Sequence, residues 1–185
     1  MQPLILASKS PRRKQLLEWA EIPFEVITQE TEESFPKTIT IEEVPIFIAR
    51  KKAQAVALLH PNQIILAADT IVTIDKEVIG KPRDKEEAIK TLQKLSGRTH
   101  RVITGVIIQR SEKEIAFSDI TEVTFHELNV EQIRFYVEKY QPYDKAGAYA
   151  IQEWIGVIGI KSIKGDFYNV MGLPVSRVIQ GLQDV

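Results

Sequence analysis

The sequence predicts an α+β fold in which helices flank a mixed β-sheet. Apolar runs typical of buried strands alternate with capped helical segments along most of the 185 residues. Two long runs rich in β-forming residues, 99–109 and 115–125, follow each other as the two strands of a hairpin do. The length suits one domain, or one domain with a small lobe. Because the sequence has no repeat, low-complexity tract or Gly/Ser linker, we predict a single domain over residues 1–185.

The elements follow from local patterns. Strands are expected where apolar or β-branched residues cluster, at 4–7, 24–27, 64–74, 77–79, 99–109 and 115–125. Helices are expected where a capping residue precedes an apolar pattern, at 10–20, 40–60, 84–96, 129–136 and 174–182. The caps are Ser10 before Pro11, Thr40 with Glu43 as a capping box, Asp84 and Asn129. Residues 29–37 are polar and acidic and are expected to form an exposed loop, and 144–164 mixes glycine with β-formers.

Composition excludes several classes of protein. Lys plus Arg is 24 and Asp plus Glu is 25, which gives a net charge of −1 and argues against a nucleic-acid or membrane-surface binder. The absence of cysteine excludes disulfides, thiolate metal sites and cysteine nucleophiles. No apolar run reaches the ~18 residues of a membrane helix, and the N-terminal run is too short for a signal peptide. We therefore expect a soluble, cytoplasmic protein.

The segment Ser8-Lys9-Ser10-Pro11-Arg12-Arg13 joins a predicted strand to a helix N-terminus. Backbone amides, hydroxyls, the helix dipole and two guanidinium groups converge there, which suits an anionic phosphate chain. The segment lacks the glycines and the GK[ST] ending of a Walker loop. A capped helix with solvated arginines is the alternative interpretation.

Asp69 interrupts the apolar strand 64–74. A buried carboxylate is costly unless it is paired, receives hydrogen bonds or binds a metal. Such an acid can hold a divalent cation or activate water, and the alternative is an acid that caps the strand end. Glu33, in the acidic loop with Glu30 and Glu32, would add a second hard oxygen ligand if it faced Asp69, although most acidic runs are simply solvated.

Further polar segments flank this strand. Lys52 and Lys81 add positive charge before and after Asp69, and Lys81 lies between Gly80 and Pro82 in a rigid turn. Residues 144–152 are expected to be too small and polar for core packing, and Gln152 could pair with the carbonyl and N–H edge of uracil or thymine. A β-turn anchored by a tyrosine is the alternative.

The glycine motifs and the histidines of this sequence are expected to have structural rather than catalytic or metal-binding roles. Ser96-Gly97, Thr104-Gly105 and Gly172-Leu173-Pro174 are expected to form turns or close backbone approaches. The histidines show no metal-ligand spacing, so each is expected to be a cap or a surface residue: His60, His100 and His126.

Taken in order, these segments resemble the Maf family of nucleoside-triphosphate pyrophosphatases. The resemblance covers essentially the whole chain and rests on a specific ordered set of motifs: 8–13, 68–70, 80–82, 96–97, 104–105, 144–149 and 172–174. It implies an inosine-triphosphatase-like α+β fold, with an elongated mixed sheet flanked by helices around a central cleft. It also implies a cytoplasmic homodimer that hydrolyses a nucleoside triphosphate between the α and β phosphates, with a divalent cation.

The resemblance assigns roles residue by residue. Asp69 matches the proton acceptor that activates water, and it matches a metal-binding acid together with Glu33. The positions that match phosphate binding are Ser8, Arg12, Arg13, Lys52 and Lys81. Arg12, Thr70 and Gln152 match positions that distinguish substrates, and these three residue types resemble the dTTP/UTP branch rather than the 7-methyl-GTP branch, which carries Trp, Gln and Glu there.

The implied reaction is attack of water on the α phosphorus, assisted by Mg²⁺ or Mn²⁺, with release of the monophosphate and pyrophosphate. The preorganised positive charge would neutralise the triphosphate. Two alternatives stay open. One is a non-catalytic nucleotide-binding regulator of cell division, since the family is linked with septum formation. The other is a pyrophosphatase of the same fold that acts on another or a modified base.

Overall fold

The computed structural model describes residues 3–185 and has an α+β architecture. The described strands are β1 (Leu4–Leu6), β2 (Phe24–Val26), β3 (Ile65–Ile74), β4 (Glu77–Ile79), β5 (Thr99–Arg110), β6 (Lys113–Phe125) and β7 (Ile160–Lys164). The α-helices are α1 (Pro11–Trp19), α2 (Val44–Ala57), α3 (Lys85–Leu95), α4 (Val130–Tyr140), α5 (Trp154–Gly159), α6 (Phe167–Met171) and α7 (Val175–Gln183). A short 3-10 helix covers Ala146–Ala148.

The strands form one mixed sheet in the order β2-β1-β3-β5-β6-β7, and β4 pairs with β3. β1 is parallel to β2 and to β3, whereas β4 is antiparallel to β3 and β7 is antiparallel to β6. Parallel neighbours need a crossover connection, and α1 supplies it between β1 and β2. The predicted α+β class with a mixed sheet is confirmed.

The chain divides into two compact units. The first contains the described residues of Met1–Thr70 together with Thr104–Asp119 and Gly172–Val185. The second contains Ile71–Ile103 and Ile120–Met171. The strands β3, β5 and β6 contribute residues to both units. The single domain over 1–185 stays a prediction.

In the first unit, α2 packs closely on the sheet through small residues. Ala49 and Ala53 are fully buried in one cluster with residues of β1, β3 and β5. A Cβ added at Gly105 of β5 would lie 2.2 Å from the backbone nitrogen of Ile46 and 2.3 Å from the carbonyl carbon of Pro45. The expected close approach is therefore present, but Gly105 lies inside a strand rather than in a turn.

In the second unit, the segment 144–152 belongs largely to the core, so the expectation that it is too small and polar for packing is wrong. Tyr149 is buried and its Oη lies 2.6 Å from Nε2 of His100. A Cβ at Gly147 would lie 3.0 Å from a methyl group of Val72. The small residues are thus needed because the backbone packs against a side chain.

His100 is also a core residue rather than the expected cap or surface residue, with 1% of its surface exposed. Its ring stacks on that of Phe125 with centroids 5.5 Å apart. Burial lowers the pKa of His100 to about 4, so the ring is neutral at pH 7. Burial also raises the pKa of the Tyr149 hydroxyl.

Two local expectations need correction. α2 begins at Val44 rather than near Thr40, because the Glu43 carboxylate accepts 2.8 Å hydrogen bonds from the Thr40 amide and hydroxyl and closes a separate turn first. The helices α5 and α6 were not expected from the sequence. α5 has the sequence WIGVIG, and a short apolar run of this kind has no periodicity that separates helix from strand.

Candidate active site

The loop between β1 and α1 is built around two serines. Ser10 caps α1, as the sequence predicts, and its Oγ accepts a 3.4 Å hydrogen bond from the Arg13 amide. The buried Ser8 accepts a 3.2 Å hydrogen bond from the Ser10 amide. The first turn of α1 has no acidic residue, so its amide dipoles remain favourable to an anion.

Arg13 is buried and its guanidinium is fixed by three neutral oxygens. Nε donates to the carbonyl oxygen of Gly172 at 2.8 Å, Nη1 donates to Ser8 Oγ at 3.0 Å, and Nη2 donates to Thr70 Oγ1 at 2.9 Å. Burial lowers the pKa of Arg13 and the nearby Asp69 carboxylate opposes that shift, and an arginine remains charged at neutral pH. These three hydrogen bonds fix the guanidinium, and none of their acceptors carries a negative charge.

Thr70 links this cluster to the neighbouring strand. Its Oγ1 lies 2.9 Å from Oγ1 of Thr104 and 3.5 Å from the Gly172 carbonyl oxygen. Gly172 has φ +114°, a backbone conformation that L side chains rarely adopt. The glycine therefore lets a backbone carbonyl face Arg13 and Thr70 together.

Lys52, on α2, lies between two carboxylates. Its Nζ is 2.8 Å from Oδ1 of Asp69 and 2.8 Å from Oε1 of Glu33. The side chains of Lys52 and Asp69 are 17% and 15% exposed, whereas that of Glu33 is 55% exposed. Since both oxygens contact one nitrogen, they are separated by at most twice that contact distance.

The donor set of Glu33 and Asp69 fits a hard divalent cation. Magnesium in proteins commonly uses one or two carboxylates and completes its shell with water and substrate phosphates. Among residues 3–185 there is no group of three or more His, Asp or Glu side chains that could hold a metal by itself. The two carboxylates are thus suited to a cation that arrives with a phosphate ligand.

Most of the sequence-predicted site residues lie in the first unit. The contacts above connect Ser8, Arg13 and Thr70, and they connect Glu33, Lys52 and Asp69. Because Asp69 and Thr70 are adjacent on β3, the two sets meet there. Arg12 is half-buried on α1 and its positive charge adds to the lowering of the pKa of Arg13.

Lys81 and Gln152 belong to the second unit and both are exposed. The backbone beside Gln152 is anchored by a polar network. Tyr136 donates its hydroxyl proton to the Glu153 carboxylate and accepts a 3.1 Å hydrogen bond from the Ala150 amide.

Sequence reasoning missed two contributors to the Arg13 cluster. Thr104 and the Gly172 carbonyl were recognised only as parts of architectural glycine motifs. A threonine within the apolar run of β5 was a detectable signal for Thr104, whereas nothing in a sequence reveals which carbonyl a distant arginine contacts. The described helices also include none that is long and apolar enough to cross a membrane.

Comparison with known proteins identifies the family. The family model described as Maf-like protein matches residues 3–185. The chain belongs to the Maf family. The resemblance read from the ordered motifs is thereby confirmed.

Several relatives with assigned names span nearly the whole chain. The dTTP/UTP pyrophosphatase of Cytophaga hutchinsonii is 53% identical over 97% of this chain and 83% of its own length. The proteins of the same name from Phocaeicola vulgatus and Bacteroides thetaiotaomicron are 50% and 46% identical, over 97% and 95% of this chain and 94% and 92% of their own lengths. Among solved structures, the Ham1 protein of Staphylococcus aureus is similar with a TM-score of 0.48 and 15% identity, over 67% of this chain and 72% of its own.

Proposed function

We propose that this Maf-family protein hydrolyses dTTP and UTP to the monophosphate and pyrophosphate. The observation that carries the proposal is the meeting of two clusters at adjacent residues of β3. Thr70 receives a hydrogen bond from the buried Arg13 cation, and Asp69 is held by Lys52. Successive side chains of a strand point to opposite faces, but the Asp69 carboxylate is close enough to Arg13 to oppose the lowering of its pKa by burial. A phosphate-binding cation and a potential proton acceptor are therefore near each other. The names of relatives that are 46% to 53% identical support the choice of substrate.

The phosphate chain binds to the positive groups of the site. A nucleoside triphosphate carries close to four negative charges, which must be neutralised before a nucleophile approaches. Arg12, Arg13 and Lys52 serve this purpose, and the resemblance assigns Lys81 to the same role. Ser8 contributes a neutral hydroxyl, which can donate a hydrogen bond to a phosphate oxygen. Because Arg13 is held by neutral oxygens, its charge is available to the substrate, and such preorganised charge is commonly the largest catalytic contribution.

Asp69 is the proton acceptor. In the metal-free protein Oδ1 accepts a hydrogen bond from Lys52, and Oδ2 is left for water. As the water oxygen forms its bond to the α phosphorus, its proton passes to Asp69. The bond between the α phosphorus and the bridging oxygen breaks, and the electron pair leaves with pyrophosphate.

Glu33 and Asp69 are the ligands of a divalent cation, Mg²⁺ or Mn²⁺. The chemistry that such a cation supplies when bound is additional positive charge beside the phosphate oxygens. Lys52 contacts the same two carboxylates, so in the absence of the cation it offsets part of their charge.

Base recognition is assigned to Gln152. Arg12 and Thr70, the other two positions that the resemblance links with substrate choice, lie at the phosphate-binding Arg13, as its neighbour in sequence and as a hydrogen-bond partner. The Gln152 amide offers one donor and one acceptor, which match the N–H and the carbonyl of uracil or thymine. A cytoplasmic homodimer without a nucleic-acid partner stays a prediction from the resemblance and the near-zero net charge.

The test is pyrophosphate release from a panel of nucleoside triphosphates with Mg²⁺, with Mn²⁺ and with a chelator. We expect metal-dependent release from dTTP and UTP. Asp69→Asn keeps the shape of the side chain and should lose at least about a hundredfold in kcat, as expected for removal of a general base. Asp75→Asn, at an exposed aspartate of the second unit, is the matched control and should retain normal turnover.

Each other result has a defined meaning. Near-normal turnover in Asp69→Asn would contradict the role of the carboxylate. Release from purine nucleotides only would keep the chemistry and overturn the role of Gln152. Tight nucleotide binding without any turnover would favour the non-catalytic regulator of cell division.

A further inference from the structure

Thr104 is a buried hydroxyl in an apolar strand. It has no exposed surface and lies between Ile103 and Gly105 in β5. Burying a hydroxyl is unfavourable unless it forms hydrogen bonds. Thr104 Oγ1 lies 2.9 Å from Oγ1 of Thr70, so it contacts the site through a residue that itself contacts Arg13.

The hydrogen-bonding capacity of Thr70 is limited. A hydroxyl has one proton to donate and two lone pairs that accept. Arg13 Nη2 donates to Thr70 Oγ1, and the Gly172 carbonyl can only accept. Thr70 can form hydrogen bonds with Arg13, Gly172 and Thr104 at the same time when it donates to the Gly172 carbonyl and accepts from both Arg13 and Thr104.

In that arrangement the protein uses the full hydrogen-bonding capacity of the Thr70 hydroxyl. Of its three partners, Arg13 Nη2 is part of the guanidinium itself. The Gly172 carbonyl accepts a hydrogen bond from Nε of the same guanidinium. The Thr70 hydroxyl then has no capacity left to pair with a base. With Thr104 as the donor, the effect of Thr70 on a nucleotide passes through Arg13.

We infer that Thr104 is a positioning residue for Arg13. Its hydroxyl fixes the orientation of the Thr70 hydroxyl, and Thr70 in turn holds the guanidinium in the place where it meets the phosphate chain. The inference rests on the proposed function and adds to it a residue that does not touch the substrate. It makes Thr70 and Thr104 act as one pair on the phosphate side of the nucleotide rather than on the base.

The first test compares Thr104→Val, which keeps the shape and removes the hydroxyl, with Thr104→Ser, which keeps the hydroxyl. We expect Thr104→Val to lower kcat/KM about tenfold, the loss expected for one hydrogen bond in a charged network. The loss should be the same for dTTP, UTP and any slower substrate. Thr104→Ser should stay within about threefold of the wild type. Wild-type kcat/KM in Thr104→Val, or a loss confined to one base, would overturn the inference.

A double-mutant cycle tests whether the two hydroxyls act together. If they act in series, Thr70→Val combined with Thr104→Val should lose no more kcat/KM than Thr70→Val alone. Losses that multiply would show independent roles and overturn the inference.

The third measurement does not depend on turnover. The Arg13 Nε–H is buried and bonded to the Gly172 carbonyl, so its hydrogen exchange, followed by ¹⁵N NMR of the ligand-free protein, reports how firmly the guanidinium is held. We expect exchange at least about tenfold faster in Thr104→Val and unchanged in Thr104→Ser. Unchanged exchange in Thr104→Val would overturn the inference even if the enzyme is active.

The same measurement separates the two proposals. Absence of turnover in the wild type would end the proposed function, whereas the exchange result would still decide the role of Thr104. If Thr104→Val does not fold, Thr70→Val takes its place. Faster Arg13 exchange is then expected in Thr70→Val, and normal exchange would refute the positioning role.

Discussion

Arg13 and Lys52 are two cations of the first unit that the protein holds in opposite ways. Arg13 donates to a carbonyl and two hydroxyls, all of which are neutral. Lys52 lies between the carboxylates of Asp69 and Glu33. None of the hydrogen bonds from the guanidinium goes to a carboxylate, whereas the ammonium is already paired with two.

The two cations are therefore prepared for an anionic substrate in different ways. The Arg13 cluster is fixed before the substrate arrives, since each guanidinium nitrogen has a protein acceptor. The Lys52 cluster is exchangeable, because a divalent cation would compete with Lys52 for the same oxygens. Arg13 therefore provides preorganised positive charge. The replacement of Lys52 by a divalent cation would make the site depend on metal.

The largest expected effect comes from Arg13→Lys. One ammonium cannot reproduce the three directions in which the guanidinium donates. We expect kcat/KM for dTTP to fall roughly a hundredfold, the scale seen when a preorganised donor is removed. Lys14→Ala, on the same helix at an exposed position that pairs with Glu18, is the control and should change little.

Steady-state kinetics on both variants checks this prediction. If Arg13→Lys keeps normal kcat/KM, only the charge of Arg13 matters and its geometry does not. The contrast with Lys52 would then be lost.

A smaller effect is expected on metal affinity in Lys52→Gln. Removing the ammonium leaves Glu33 and Asp69 without their shared cation, so Mn²⁺ binding without nucleotide should tighten about tenfold. Turnover should fall at the same time, because Lys52 is also proposed to bind phosphate. Electron paramagnetic resonance of free Mn²⁺ measures the affinity without any reaction.

The matched control is Lys51→Gln. The Lys51 ammonium contacts the carbonyl of Ser34 and the ring of Phe47 rather than a carboxylate. We expect its Mn²⁺ affinity to be normal. Equal affinities in Lys52→Gln and the wild type would show that Lys52 is not exchangeable with a cation.

The last expected effect is on stability rather than on activity, and it comes from Gly172→Ala. The added Cβ would lie 3.5 Å from Thr70 Oγ1 and 3.6 Å from Arg13 Nε, so there is room for it. The backbone at φ +114° is nevertheless strained for alanine, at a cost of about 1–3 kcal/mol.

Urea unfolding measures that loss. Gly80→Ala is the control, because nothing lies within 4 Å of a Cβ there. A free energy of unfolding for Gly172→Ala as high as that of Gly80→Ala would mean that the Arg13 cluster does not depend on this backbone conformation.

Much of the fold could be predicted because the local signals are strong. Ser10, Asp84 and Asn129 cap helices as the sequence indicates, and the long strands follow from runs of β-branched residues. The helix α5 could not be predicted, since its six residues include two glycines and no helical period. His100 was misread because a lone histidine carries no sign of burial.

The candidate site could likewise be predicted only in part. Asp69 attracted attention as an acid within an apolar strand, and Glu33 was expected to be a ligand only if it came near Asp69. The structure places both on Lys52. No local pattern could show that meeting, because the three residues come from a loop, a helix and a strand that only the tertiary fold brings together.

The hydrogen bond from Arg13 to Gly172 joins residues that are 159 positions apart. Residues Gly172–Val185 belong to the same compact unit as the described part of Met1–Thr70. During synthesis, the N-terminal segment can therefore complete the three contacts of Arg13 only after Gly172 has been made. Long-range contacts of this kind slow folding, and a chain that stops short of Gly172 would lack the carbonyl that holds Arg13.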